Sequence, residues 1–308
     1  MRRHFVHFLW GTLLAILGFT SLFFISVWNG WIGYMPDMDE LSNPIDKFAS
    51  QVYSSDQKLI GTWNQDNNNR IAIDYNGLSP HLVHALVATE DERFYEHSGI
   101  DFIALGRAII KRGVMRQASA GGGSTITQQL AKQLFSEKAH STMERLLQKP
   151  IEWIIAVKLE RHFTKEEILA MYFNYFDFLH NAVGIKRAAN VYFNKEPRNL
   201  NVTEAALLVG LCKNPSMFNP LRYPERCRQR RNVVLMQMVK SGYVTKDEYE
   251  ELSQRPLGIH FTKAKPVDGA ADYFQAFLRQ YMMANKPERK NYQTWQNRQF
   301  VLDSIAWE

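Results

Sequence analysis

Ala88-Thr-Glu-Asp-Glu-Arg-Phe-Tyr-Glu-His-Ser-Gly-Ile-Asp101 is the stretch on which the reading of this chain turns. It follows an apolar run, Leu82, Val83, Leu86 and Val87, set at helical spacing. It then crowds four acids, an arginine, two aromatics and a histidine ahead of Gly99. A solvated surface turn has the same composition, so the order decides. Glu90 comes directly after a buried helical run, a position where burial favours general-base chemistry. If the helix continues, Phe94 and His97 at i+4 and i+7 share its face.

Working outward, the composition is that of a globular protein: 308 residues, 45% hydrophobic and 22% charged. A net charge of +6 points to an anionic partner. Cys212 and Cys227 have no metal-ligand spacing and read as buried or free thiols. Residues 8–28 contain no charge, and about twenty apolar residues are enough to span a bilayer. Arg2 and Arg3 precede this segment, which predicts a cytoplasmic N-terminus with the rest of the chain outside. A cleaved signal peptide is shorter and needs a small-x-small site, where this chain has Trp28-Asn-Gly-Trp31. Trp28, Trp31 and Tyr34 suit the outer interface as an aromatic belt. The predicted organisation is a tail at 1–7, a transmembrane anchor at 8–28, a connector at 29–48 and a catalytic domain at 49–260.

Residues 49–76 change period. Gln51-Val-Tyr53, Lys58-Leu-Ile-Gly-Thr-Trp63 and Arg70-Ile-Ala-Ile-Asp-Tyr75 read as short strands, with Asn67-Asn-Asn69 as a turn. From Pro80 the pattern is helical. Thr164-Lys-Glu-Glu167, Asn201-Val-Thr-Glu204 and Thr245-Lys-Asp-Glu248 each read as a capped helix start. Residues 272–283 read as one amphipathic helix.

Four further stretches carry chemistry. Gly121-Gly-Gly-Ser-Thr-Ile-Thr-Gln-Gln129 combines exposed backbone N–H groups with neutral hydrogen-bonding side chains, and Lys132 follows. It is not a Walker loop, because no Lys-Ser/Thr follows the glycines. In Gln148-Lys-Pro-Ile-Glu152, Pro150 predicts a helix start that puts Glu152 in the first turn beside Lys149. Lys165-Glu-Glu-Ile-Leu-Ala-Met-Tyr-Phe-Asn174 ends on Asn174, polar where the pattern expects core. Arg230-Arg-Asn-Val-Val-Leu235 reads alone as a charged helix face.

Together and in this order, the five stretches resemble the glycosyltransferase domain of peptidoglycan synthases, shared by class A penicillin-binding proteins and monofunctional transglycosylases. The motif Glu-Asp-x-x-Phe-x-x-His-x-Gly is present at 90–99, and Gly-x-Ser-Thr-x-Thr-Gln-Gln at 122–129. The resemblance covers roughly 50–245, and the surroundings of Phe176-Asp-Phe-Leu-His-Asn181 look most like Bacteroidetes-type class A proteins. It implies a mostly α (α+β), lysozyme-like domain with a small β region near its start and an N-terminal transmembrane helix. It also implies that 261–308 begins a connector toward a transpeptidase domain that this chain lacks. In the third motif Gln148 stands where the family has arginine, which makes Arg145 the candidate for the upstream phosphate-binding arginine. Asn181 and its neighbours replace a glycine-containing loop.

The implied substrates are lipid II and the growing glycan strand. By resemblance, Glu90 is the general base on the acceptor 4-hydroxyl and Glu152 the second essential carboxylate. Lys132 and Lys149 face the departing diphosphate, whose negative charge cations stabilise. Asp91, Phe94 and His97 shape the site, while Ser124, Thr125, Gln128 and Gln129 bind sugar or phosphate, and Asn174 belongs to the substrate-binding set. Two roles stay open for Glu152: holding a divalent cation (Mg or Mn) or orienting the lysines. No cosubstrate cofactor is expected. The implied setting is the bacterial cytoplasmic membrane, catalytic domain on the periplasmic side, with other cell-wall synthesis or division proteins as partners and no nucleic acid.

Three alternatives compete with this reading. Ser55-Asp-Gln-Lys58 and Lys240-Ser-Gly242 resemble transpeptidase motifs, but no Ser-x-Asn accompanies them. A lytic muramidase-like glycosidase also uses paired carboxylates, yet has no need of the cations beside Glu152. An inactive glycan-binding scaffold is disfavoured by the intact Glu90 and Glu152.

Overall fold

The computed structural model describes residues 2–32, 35–36, 41, 50–53, 59–63, 71–110, 123–135, 142–262, 277 and 281. The expected 67–69 turn, the Ser-x-x-Lys match at 55–58 and most of 272–283 lie outside them. The chain is mostly helical. Helix α1 runs Arg2–Trp28. Strands β1 (Ser50–Tyr53) and β2 (Leu59–Trp63) pair antiparallel, with Ser50 opposite Trp63 and a register shift at Val52/Tyr53. A 3-10 turn at Tyr75–Gly77 leads to α2 (Pro80–Glu90), and another at Phe94–Glu96 leads to α3 (Phe102–Ile109). Then come α4 (Ile126–Phe135), α5 (Thr142–His162), α6 (Lys165–Tyr175) and α7 (Ile185–Phe193). The last three are α8 (Val202–Cys212), α9 (Pro224–Lys240) and α10 (Lys246–Gln254).

The third expected strand does not form over the described residues of 70–75: Ile71 to Asp74 carry no strand and Tyr75 opens a turn. The Ile73 peptide is satisfied by a side chain instead. Asn174 Oδ1 accepts from Ile73 N at 3.2 Å, and Asn174 Nδ2 donates to Ile73 O at 2.8 Å. The carboxamide does the work of a neighbouring strand, which answers why a polar residue ends α6.

Two compact units emerge: Met1–Ser42 with Arg93–Ile168, and Asn43–Glu92 with Leu169–Glu308. In the first, α4 packs on α5 through Ile126, Leu130, Leu134, Ile155 and Leu159, all buried. Helix α5 begins at Thr142, so Pro150 lies inside it and Glu152 is not in its first turn. Proline removes one internal hydrogen bond, but the buried face from Ile154 to Leu159 supplies packing that holds the helix on either side. In the second unit α2, α8 and α9 pack on one another. Residues 203–212 of α8 are all buried, as befits a helix apolar on every face. Arg231, fully buried on α9, donates to Ser253 O and Pro256 O at 3.0 Å each, closing the end of α10.

The three capped helix starts are all present. Asn201 and Glu204 form a reciprocal capping box, as do Thr245 and Glu248. Thr164 N donates to Glu167 Oε2 at 2.7 Å while Glu167 N donates to Thr164 Oγ1 at 3.3 Å. Lys240-Ser-Gly242 is a helix stop: α9 ends at Lys240, and Gly242 takes φ +76°.

Candidate functional site

Helix α2 ends on Glu90. Asp91 leaves helical geometry at φ −159°, although its N–H still reaches Val87 O at 3.1 Å. The expectation that Phe94 and His97 continue Glu90's helical face is therefore corrected. Glu90 and Asp91 fall in the second unit, Phe94 and His97 in the first.

In the second unit the Glu90 carboxylate is mostly buried and meets the Arg230 guanidinium, with Nη2 3.5 Å from Oε1. Arg230 Nε also points to Gly210 O at 3.4 Å, and its guanidinium lies 6.0 Å from the Phe218 ring. Gly210 leaves room for this: a Cβ there would come 3.2 Å from Arg230 Cγ. Burial lowers the pKa of Arg230, opposed by the charge of Glu90. Tyr172 and Cys212 are buried in the same unit, and the Cys212 thiol donates to Leu208 O at 3.6 Å. Burial pushes both the phenol and the thiol well above their ordinary ranges. The Glu90 charge adds to both shifts, so each group is a neutral wall beside the carboxylate. Asp91 is buried at the end of α2. Asn174 is spent on Ile73 and stands as a structural clamp rather than as an open substrate contact.

In the first unit Gly99 is the meeting point. Its φ is +92°, and a Cβ would lie 2.8 Å from Ala156 C on α5. Its carbonyl accepts from Thr125 Oγ1 at 2.7 Å and from Gln128 Nε2 at 3.2 Å. Thr125 and Gln128, expected to bind sugar or phosphate, are both buried and engaged in this internal work. Ser124 stands differently: Lys149 Nζ reaches Ser124 Oγ at 3.3 Å and Glu152 Oε2 at 2.6 Å. Glu152 is almost wholly buried, whereas Lys149 is 48% exposed and so can meet a ligand. Lys132 and Arg145 are exposed, and Gln129 is half-buried.

Sequence reasoning missed one network in this unit and two features of the other. Lys165 Nζ donates to His97 O at 2.7 Å, pairs with Glu160 at 2.8 Å and sits 4.2 Å from the centre of the buried Phe94 ring. Glu160 in turn accepts from Thr127 Oγ1 at 2.6 Å. Arg230 had read as a charged face. The 177–183 loop holds Leu179, His180 and Asn181 at φ +68°, +54° and +60°, a run that L-residues rarely adopt. The Tyr192 hydroxyl, donating to Phe178 O at 2.7 Å, and Asn219, 3.1 Å from His180 Nε2, brace it.

The family model described as Transglycosylase matches residues 56–239, more than half of the chain. The chain belongs to the transglycosylase family. This transglycosylase is 38% identical over 276 residues to penicillin-binding protein 1A of Aquifex aeolicus, covering 88% of this chain and 36% of that protein. It is 33% identical over 267 residues to penicillin-binding protein 1F of Bacillus subtilis (87% and 35%). Against penicillin-binding protein 1A of Escherichia coli it is 36% identical over 248 residues (80% and 28%). It thus spans about a third of the length of the curated relatives it matches. A crystal structure of penicillin-binding protein 1A from Haemophilus influenzae aligns with 80% of this chain and 26% of its own, at 24% identity. Its TM-score of 0.39 is too loose to compare site geometries. All five stretches singled out in the sequence fall inside the transglycosylase match.

Proposed function

We propose that this transglycosylase polymerises lipid II into β-1,4-linked glycan strands by an inverting mechanism. The observation that carries the reading is Glu90, a carboxylate placed at the end of a buried helix beside Arg230 within the matched family segment. Glu90 accepts the proton of the acceptor 4-hydroxyl as that oxygen bonds to the anomeric carbon of the donor. The bond from that carbon to the diphosphate breaks, and polyprenyl diphosphate leaves with the electron pair. Lys149 stabilises the charge that develops on it, with Lys132 and Arg145 as further cations. Ser124 and Gln129 contact sugar or phosphate, Asp91 supports Glu90 within its own unit, and Phe94 and His97 support the cationic residues within theirs.

Glu152 orients Lys149. Among the described residues no three His, Cys, Asp or Glu side chains gather as ion ligands. The Glu152 carboxylate already faces an ammonium at 2.6 Å. Mg is usually held by one or two carboxylates together with substrate phosphates and waters, so Glu152 would be the residue to hold such an ion beside the substrate diphosphate; no step is assigned to a metal.

The most apolar 18-residue stretch of helix Arg3–Trp28 has a mean hydropathy of 2.1, and none of it is buried. It is the proposed single membrane span, with Arg2 and Arg3 on the cytoplasmic side and the catalytic residues on the periplasmic side. Exposed Phe102, Ile103 and Ile110 suit contact with the same bilayer, in which the substrate lies.

The test is incubation of the detergent-solubilised chain with lipid II beside a Glu90→Gln variant, separating products by size. Long strands from the parent and none from the variant are expected. Shortening of pre-made glycan would identify a hydrolase, and inertness of a folded parent toward both substrates would refute catalysis by this chain.

A further inference from the structure

The C-terminal end of α1 is not bare. The ring of Trp28 has Lys158 Nζ 5.2 Å and Arg161 Cζ 5.8 Å from its centre, both cations coming from α5. Lys158 Nζ also lies 3.5 Å from Pro36 O, just past the helix. All four residues belong to one compact unit, within which α1 packs on α5.

The depth of this cluster follows from the length of the helix. Arg3–Trp28 contains 26 residues, which at about 1.5 Å per residue extend about 39 Å. With a tilt of about 20° the span is still about 37 Å, against a hydrocarbon core of about 30 Å. The helix ends therefore emerge among the headgroups, where Trp is at home. Two cations held within 6 Å of Trp28 then sit at the level of the lipid phosphates. Lys158 and Arg161 are one helical turn apart on α5, and Trp28 is 42% exposed, so the ring can lie against acyl chain while the cations meet the phosphate. Among the described residues Arg161 has no ion pair with a carboxylate.

We infer that Lys158, Arg161 and Trp28 form a binding site for the headgroup phosphate of an anionic phospholipid, distinct from the residues assigned to the reaction. Because α5 also carries Lys149 and Glu152, a lipid held there fixes the height of that pair above the bilayer. The inference depends on the membrane span proposed above.

The full chain is reconstituted in vesicles of phosphatidylcholine containing spin-labelled phosphatidylglycerol or spin-labelled phosphatidylcholine, and the immobilised lipid fraction is compared. The parent should prefer phosphatidylglycerol. Lys158→Gln and Arg161→Gln should each lower that preference about fivefold, and Lys158→Arg with Arg161→Lys should restore it. Arg226→Gln with Arg228→Gln, equal in charge lost, should leave it unchanged. No preference in the parent, or a preference that survives the double glutamine variant, overturns the site. Loss of the preference to inorganic phosphate at matched ionic strength overturns the lipid assignment in favour of a free anion. Alkaline carbonate washing separates the two levels of the argument. A chain that washes off refutes the span, whereas a retained chain without lipid preference refutes the site alone.

Discussion

Gly99→Ala is the substitution that most directly tests how the first unit is joined. Alanine at φ +92° costs about 1–2 kcal/mol in backbone conformation alone. Its Cβ would stand 2.8 Å from Ala156 C, 2.9 Å from Ala156 O and 3.0 Å from Val157 N. These are backbone atoms of α5, which cannot rotate aside as the end of a side chain could. Displacing the turn then strains the two buried bonds to Gly99 O, at about 1 kcal/mol each. The sum is about 3–4 kcal/mol, or a drop in melting temperature on the order of 10 °C. Gly242→Ala is the matched control: φ there is +76°, and nothing lies within 4 Å of the added Cβ. It should lose only the conformational part, about 1–2 kcal/mol. Thermal unfolding of the full chain in detergent, followed by circular dichroism, compares the two. Equal losses would refute the claim that close approach to α5 is what demands glycine at position 99.

Further predictions rest on single contacts. Lys149→Met leaves the buried Glu152 without its cation, so it should destabilise the fold more than Lys149→Met combined with Glu152→Gln; a double variant worse than the single would sink this, read by urea midpoints. Asn174→Leu strands both polar groups of the Ile73 peptide, an expected loss of about 2–4 kcal/mol, and a loss below 1 kcal/mol would show that the segment repairs itself. Burial raises the Cys227 thiol from 9.0 to about 12. The native state therefore keeps a proton that the unfolded chain releases, and this stability, fully present below pH 9, is lost as pH rises toward 12. Cys227→Ala should flatten that alkaline decline in the urea midpoint, and an unchanged slope would count against it.

What was legible in the sequence had local causes. Asn201 with Glu204 and Thr245 with Glu248 announce helix starts because cap and partner lie within one turn, and both boxes form. The burial of Leu82, Val83 and Leu86 is written in their spacing. Nothing local marks Asp91 as the residue where α2 stops. An acid there is compatible with a continuing helix, and the break appears only in its φ of −159°. Pro150 misled in the opposite direction, since its usual meaning at a helix start was overridden by the buried face that follows it. Arg230 read as solvated because its partners, Glu90 and the Gly210 carbonyl, are distant in sequence.

The same distinction sorts the motif residues themselves. Thr125, Gln128, Gly99 and Asn174 share a property that no spacing rule reveals: each exchanges a hydrogen bond with backbone far along the chain, or receives one from such a partner. A motif therefore mixes residues that meet substrate with residues that hold the backbone on which those are mounted, and exposure separates them. Lys149, Lys132 and Arg145 keep their charge where a ligand can reach it, whereas Thr125 and Gln128 are sealed. By that criterion Ser124 is the informative neighbour. It sits one residue before the sealed Thr125, yet its hydroxyl lies within 3.3 Å of the Lys149 ammonium. A ligand phosphate drawing on Lys149 would meet Ser124 first, so Ser124→Ala should weaken turnover at limiting lipid II while leaving stability within about 0.5 kcal/mol. Thr125→Ala should do the reverse, because it opens the bond to Gly99 O without touching any exposed cation. Melting curves and initial rates on the same two variants decide it, and parallel losses in both would mean that exposure does not divide the motif.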